Sequence, residues 1–107
     1  MLTALTFNVL LALVDSDRHG YGIIKELESR LGADAAPSTG ALYLALQRME
    51  GEGLVTEARA RAGTDPRRRY WRVTGKGRAA AQAESRRLAA LVELAREKKL
   101  LPEGGRA

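Results

Sequence analysis

The stretch PSTGALYLALQRMEGEGLVTEARARAGTDPRRRYWRVT, residues 37–74, decides the fold, because its apolar period changes once along its length. Pro37 disfavours helix in the residue before it, and the Ser38 hydroxyl can accept from amides two or three residues on. A helix is therefore predicted over 39–52, with Leu42, Ala45, Leu46 and Met49 at helical spacing as its core face. Gly53 is placed to close it in the left-handed conformation. Beyond Gly53 the spacing becomes that of strands. Two are predicted, over 54–60 and 69–74, flanking the turn-rich tip Ala62-Gly-Thr-Asp-Pro66. Trp71 and Val73 then share one face of the second strand, and Tyr70 and Arg72 the other.

Upstream, residues 2–14 are mostly apolar and stop at Asp15. A membrane span needs ~20 apolar residues. A secretory signal begins with basic residues, whereas the first one here is Arg18. The run therefore reads as a core helix of a cytoplasmic chain. Leu2, Leu5, Val9 and Ala12–Leu13 form one stripe, and Phe7, Leu10–Leu11 and Val14 a second. A helix apolar on nearly all sides needs cover on nearly all sides. In so small a protein this favours a partner subunit, with Leu5 and Val9 among the residues it would meet. Asp15 to Gly20 break the pattern, with Asp17 or His19 near the next N-cap. The second helix has Ile24, Leu27 and Leu31 on its inward face and ends near Gly32.

Downstream, Thr74 can cap a long last helix rich in alanine. Leu88, Leu91, Val92 and Ala95 stand at i, i+3, i+4 and i+7 on it. That single stripe has no partner left within so small a domain, so it is assigned to a dimer interface, the alternative being that the helix folds back on its own domain. The fold class expected is mainly α (α+β), a winged helix-turn-helix. Three helices and a two-stranded wing would occupy 1–74, a dimerisation helix 75–101, and a flexible tail 102–107.

The 107 residues suffice for one domain, with 45% hydrophobic and 29% charged residues, the balance of an ordinary globular chain. Eighteen basic residues outnumber thirteen acidic ones. Eight of the eighteen lie within 59–78 beside one acid, Asp65, while the rest of the chain carries ten basic against twelve acidic. The surplus is concentrated in and beside the wing, which fits phosphate binding better than a dispersed surplus would. Arg67, Arg68 and Arg69 follow the Asp65-Pro66 turn and are expected to hold the DNA backbone, contributing affinity more than sequence choice.

The side of the third helix opposite its core face carries Gly40, Leu44, Gln47, Arg48 and Gly51, with Tyr43 on the flank. Such a helix enters the major groove by its N-terminal part. Ser38 and Thr39 can bind phosphate through hydroxyls or free amides, and Gly40 lets the backbone come close. Gln47 could pair with adenine, and Leu44 could meet a thymine methyl.

Catalysis is disfavoured, because the chain has no cysteine and His19 is its one histidine. No nucleophile–base pair, metal-ligand set or phosphate loop can be assembled from the remaining spacings, so no cofactor or metal is expected.

Four motifs in order resemble the PadR-type transcriptional regulators. They are His19-Gly20-Tyr21; Pro-Ser-Thr-Gly-Ala-Leu-Tyr at 37–43; Leu46-x-Arg-Met-Glu50 with Gly53-Leu54-Val55; and Asp65-Pro-Arg-Arg-Arg-Tyr70 with Val73-Thr74-x-x-Gly77. The resemblance covers about residues 2–96 and matches short members with a single C-terminal helix. It implies a homodimeric winged-helix protein that binds double-stranded DNA, usually as a repressor. It also points to Tyr21, Ser38, Thr39, Gly40, Tyr43 and the wing arginines for DNA contact. Some relatives bind planar small molecules between aromatic residues of their C-terminal helices. No aromatic follows Trp71 here, so stacking on the last helix is not expected, and the chemistry of any small-molecule effector is unspecified. The competing reading is a ligand- or protein-binding dimer that keeps the winged fold without sequence-specific DNA binding. RNA is a weaker alternative, for want of surface aromatics as a stacking platform.

Overall fold

The computed structural model describes residues 1–59 and 68–102. Arg67, the tip at 62–66 and, but for Pro102, the tail expected over 102–107 lie outside the described residues. The elements are α1 (Ala4–Leu13), β1 (Arg18–His19), α2 (Gly20–Leu31), α3 (Thr39–Gly51), β2 (Val55–Ala58), β3 (Tyr70–Val73) and α4 (Gly75–Glu97).

Each helix begins where a side chain can satisfy an orphan amide. Thr3 accepts from Thr6, His19 from Gly22, Ser38 from Ala41 and Thr74 from Gly77. The first three helices form a cluster whose centre is Val9, Leu10, Leu13, Ile23, Leu27, Leu42, Leu46 and Met49, all essentially inaccessible. Trp71 and Val55 close the cluster from the sheet. Each such leucine or isoleucine contributes about 1.5–3 kcal/mol of transfer free energy.

The sheet has three strands rather than the two expected, in the order β1-β3-β2, all antiparallel. Arg18 pairs with Trp71 and His19 with Tyr70. The cause lies in the approach to α2. His19 caps that helix from an extended conformation, so the residues entering the cap run alongside β3. A salt bridge of 2.9 Å from Arg72 to Asp17 reinforces this edge. The two wing strands are shorter than the sequence suggests. Leu54 is consumed in the turn, donating to the Met49 carbonyl and accepting from the Thr74 amide, and Thr74 serves as the α4 cap.

Full burial on α4 is confined to its first three turns, at Gly77, Ala81 and Glu84. Arg78 donates to the Val14 carbonyl at 2.8 Å, and the Glu84 carboxylate accepts from the Leu2 amide at 3.5 Å. Both bonds tie α4 to the ends of α1. Beyond Glu84 no residue of α4 is buried, and at 1.5 Å per residue the whole helix is about 34 Å long.

Candidate nucleic-acid interface

The outer face of α3 is open. Ser38, Thr39, Gly40, Leu44 and Gln47 are all exposed, and Leu44 is 68% accessible, unusual for a leucine on a helix that buries four other apolar residues. A β-carbon added at Gly40 would meet nothing within 4 Å, so packing does not require glycine there. Its absence leaves the N-terminal turn of α3 flat toward whatever approaches. The Ser38 oxygen is occupied by the Ala41 amide at 3.1 Å.

Tyr43 is half-buried on the flank and packs toward the start of α2. A β-carbon at Gly20 would lie 2.8 Å from Tyr43 Cζ, so glycine at position 20 is what admits the ring. Tyr21 is 61% exposed, with the Lys25 ammonium 5.4 Å from its ring centre. His19, Gly20, Tyr21, Tyr43, Arg68 and Arg69 line a cleft of about 330 Å³ between α2, α3 and the base of the wing. The structure thus brings Tyr21 and Tyr43 together with two of the three predicted arginines.

Those two arginines differ in their surroundings. Arg68 is exposed, with its Nη1 2.7 Å from His19 Nε2. Arg69 is ion-paired with Glu57 across the β2–β3 ladder, and its guanidinium lies 5.0 Å from the Trp71 ring centre. It therefore braces the wing as well as presenting charge to solvent. Arg72 is committed to Asp17, whose carboxylate holds the guanidinium above its ordinary value. Glu57 and Asp17 thus offset part of the cationic surplus, a tertiary pairing that sequence spacing does not disclose.

His19 is the residue at this site that sequence reasoning placed only as a helix cap. Burial, then the nearby Arg68 charge, push its imidazole below the ordinary value, so the ring is neutral at physiological pH. The signal available was its position directly before Gly20-Tyr21.

The proposed interface residues separate as well. Leu91, Val92 and Leu94 are 50%, 44% and 46% exposed, and Leu5, Leu88 and Ala95 are half-buried. Val9 is 0% exposed within the single chain. It faces the protomer's own core, because α1 turns that side toward α2 and α3, and it has no surface to offer a partner. The uncovered apolar surface of α1 is instead that of Leu5, Phe7, Leu11 and Val14. No helix of the described residues is long and apolar enough to cross a membrane.

Residues 9–83 match the model of the transcriptional regulator PadR-like family. Transcriptional regulator Rv3488 of Mycobacterium tuberculosis is 43% identical over 95 residues, spanning 88% of this chain and 81% of that protein. A PadR family transcription regulator from Clostridium difficile superposes with a TM-score of 0.77 at 22% identity, over 89% of this chain and 97% of the other. Bacillus subtilis PadR, solved in complex with operator DNA, superposes with a TM-score of 0.65 at 21% identity, over 76% of this chain and 46% of its own. With a family match over most of its length and a relative at this level of identity, the chain belongs to the PadR-like family of transcriptional regulators.

Proposed function

We propose that this regulator binds double-stranded DNA sequence-specifically as a homodimer, through α3 in the major groove and the wing on the backbone. The observation that carries the reading is the open face of α3, with Leu44 and Gln47 uncovered beside a cleft flanked by Arg68 and Arg69. A hydrophobe at a reading position suits a thymine methyl, and Gln47 suits adenine. Ser38, Thr39, Gly40, Tyr21 and Tyr43 would set the depth of entry, and Arg67 is carried with the other wing arginines as a backbone ligand. Family membership, and the operator DNA in the Bacillus subtilis PadR complex, support the same assignment.

Dimerisation is assigned to the stripe Leu88, Leu91, Val92 and Ala95 together with Leu5, without Val9. Water-exposed leucines and valines in the second half of a long helix are the surface a second copy would cover. Such a dimer presents two α3 helices to a pseudo-palindromic site, with half-sites about 34–36 Å apart. It would repress by excluding polymerase where that site overlaps a promoter, acting in the cytoplasm beside the chromosome. A small-molecule effector would release it only by binding one dimer geometry better than the other. A groove of about 380 Å³ at the α1–α4 joint, lined in part by Leu11, Val14, Ala81 and Ser85, has room for one.

Selection of bound sequences from a random duplex pool at about 150 mM salt tests the reading. The expected product is a two-fold-related motif. Binding that disappears near physiological ionic strength, with no preference over random competitor, would instead favour a winged-helix dimer serving a ligand or protein.

A further inference from the structure

We propose that His19 is a phosphate ligand of the bound duplex, sharing one phosphodiester oxygen with Arg68. The proposal rests on the DNA-binding reading and adds to it a residue and a chemical role.

Both ring nitrogens of His19 face hydrogen-bond donors. Nδ1 accepts from the Gly22 amide at 3.0 Å and so caps α2. Nε2 lies 2.7 Å from Arg68 Nη1, and a guanidinium has donors only. A neutral imidazole offers one acceptor nitrogen, so in the free protein it satisfies one neighbour or the other and never both. Protonation would satisfy neither. With the cap in place, the proton sits on Nε2 and points at the cation.

An anionic oxygen that draws the exposed Arg68 side chain away from Nε2 and takes the place between them removes this conflict. It accepts from Nε2–H and from the guanidinium together, while Nδ1 keeps the Gly22 amide. The surroundings suit such a guest. The cleft carries Arg68 and Arg69 on its rim and no carboxylate among its described lining residues. The imidazole plane is held by Tyr21, stacked at 6.3 Å between centroids, and by Tyr70, edge-on at 5.4 Å. Tyr43, on the flank of α3, lines the same cleft, so a phosphate seated there lies beside the groove that α3 would enter. A free phosphate ion has the same oxygen chemistry. The duplex is favoured because Tyr43 of α3 is part of the cleft's own lining.

Because His19 is the one histidine, histidine-labelled protein gives a single imidazole spin system. The selected duplex and inorganic phosphate are titrated separately at about 150 mM salt. With the duplex, Nε2–H becomes a downfield, slowly exchanging proton while Nδ1 keeps the shift of an acceptor nitrogen. A second arm uses His19→Asn. Asparagine caps helices well but is too short to reach the shared oxygen. Its unfolding midpoint stays near wild type while duplex affinity falls about tenfold, the scale of a hydrogen bond to a charged group. Duplex binding with an undisturbed imidazole, or a His19→Asn affinity within twofold of wild type, overturns the assignment alone. The same imidazole response to micromolar inorganic phosphate overturns it in favour of a free-anion site. Wild-type protein that binds no duplex overturns the DNA reading, and this assignment with it.

Discussion

Gly77 in the first turn of α4 abuts the backbone of Leu54: a β-carbon at position 77 would overlap the Leu54 carbonyl oxygen and lie 3.0 Å from the carbonyl carbon. The same carbonyl accepts from the Thr74 amide at 3.0 Å, and the Thr74 hydroxyl donates to the Gly53 carbonyl. The turn leaving α3 and the turn entering α4 are thus welded back to back. Any side chain at 77 must separate them.

Gly77→Ala should therefore destabilise the fold by at least about 3 kcal/mol, at or above the usual range for overpacking, because the obstacle is backbone. Val73 Cγ2 would also stand 2.9 Å from the new methyl. Gly40→Ala, where nothing is within 4 Å, should leave stability unchanged or slightly raised while weakening DNA binding. Urea unfolding followed by the fluorescence of Trp71, the one tryptophan, measures both.

The contrast between these glycines shows which parts of the molecule were legible in the sequence. Ser38, Thr74, Gly32 and Gly53 mark helix ends through bonds to residues three or four positions away, so local reading places them closely. The α3 face was legible for the same reason, since helical period alone separates Leu42 and Leu46 from Leu44 and Gln47. β1 was not, because two residues become a strand only when Tyr70 and Trp71 arrive beside them. Nor was the occupation of Arg69 by Glu57 and of Arg72 by Asp17, or the burial of Val9. Each depends on which element lands opposite, a relation that no local window contains.

The wing arginines should not contribute equally to DNA binding. A phosphate contact on duplex DNA contributes about 0.9 to the slope of log affinity against log salt. Arg68→Ala is expected to lower that slope by about one, with little change in stability. Arg69→Ala should lower it less and should instead alter Trp71 emission, because its guanidinium is paired with Glu57 and rests over the indole. Equal slope changes for the two, measured by fluorescence anisotropy from 50 to 300 mM salt, would show that the Glu57 pair opens fully on binding.

Stability should fall in two separate steps on acidification. The His19 value is lowered in the fold by burial and then by Arg68, so its contribution is complete above the ordinary histidine value near 6.5. It is lost as pH falls through the lowered native value, where the proton displaces the Gly22 cap. His19→Asn should remove this step. Glu84 is held below the ordinary carboxylate value, first by its hydrogen bond from Arg87 and also by the Leu2 amide. Its contribution is present above about pH 4.5 and disappears as pH falls through the native value. Glu84→Gln should flatten only the lower step. Urea midpoints between pH 7.5 and 3.5 distinguish the two.

Subunit association and fold stability should separate at two residues that sequence spacing grouped together. Val9 has no accessible surface, so Val9→Ala leaves a cavity in the three-helix core and should cost about 2–3 kcal/mol without changing subunit association. Leu91 is half exposed on the part of α4 beyond Glu84, its last buried residue. Leu91→Glu should barely change the stability of the single chain, yet place a charge in the proposed interface, where an unpaired carboxylate costs several kcal/mol. Sedimentation at micromolar concentration should then give a dimer for Val9→Ala and a monomer for Leu91→Glu. Duplex affinity should follow sedimentation rather than stability, because a lone subunit offers one α3 helix to a two-part site. A Leu91→Glu protein that remains dimeric and binds the duplex normally would move the interface off this stripe, leaving the half-covered Phe7, Leu11 and Val14 side of α1 as the surface where the copies meet.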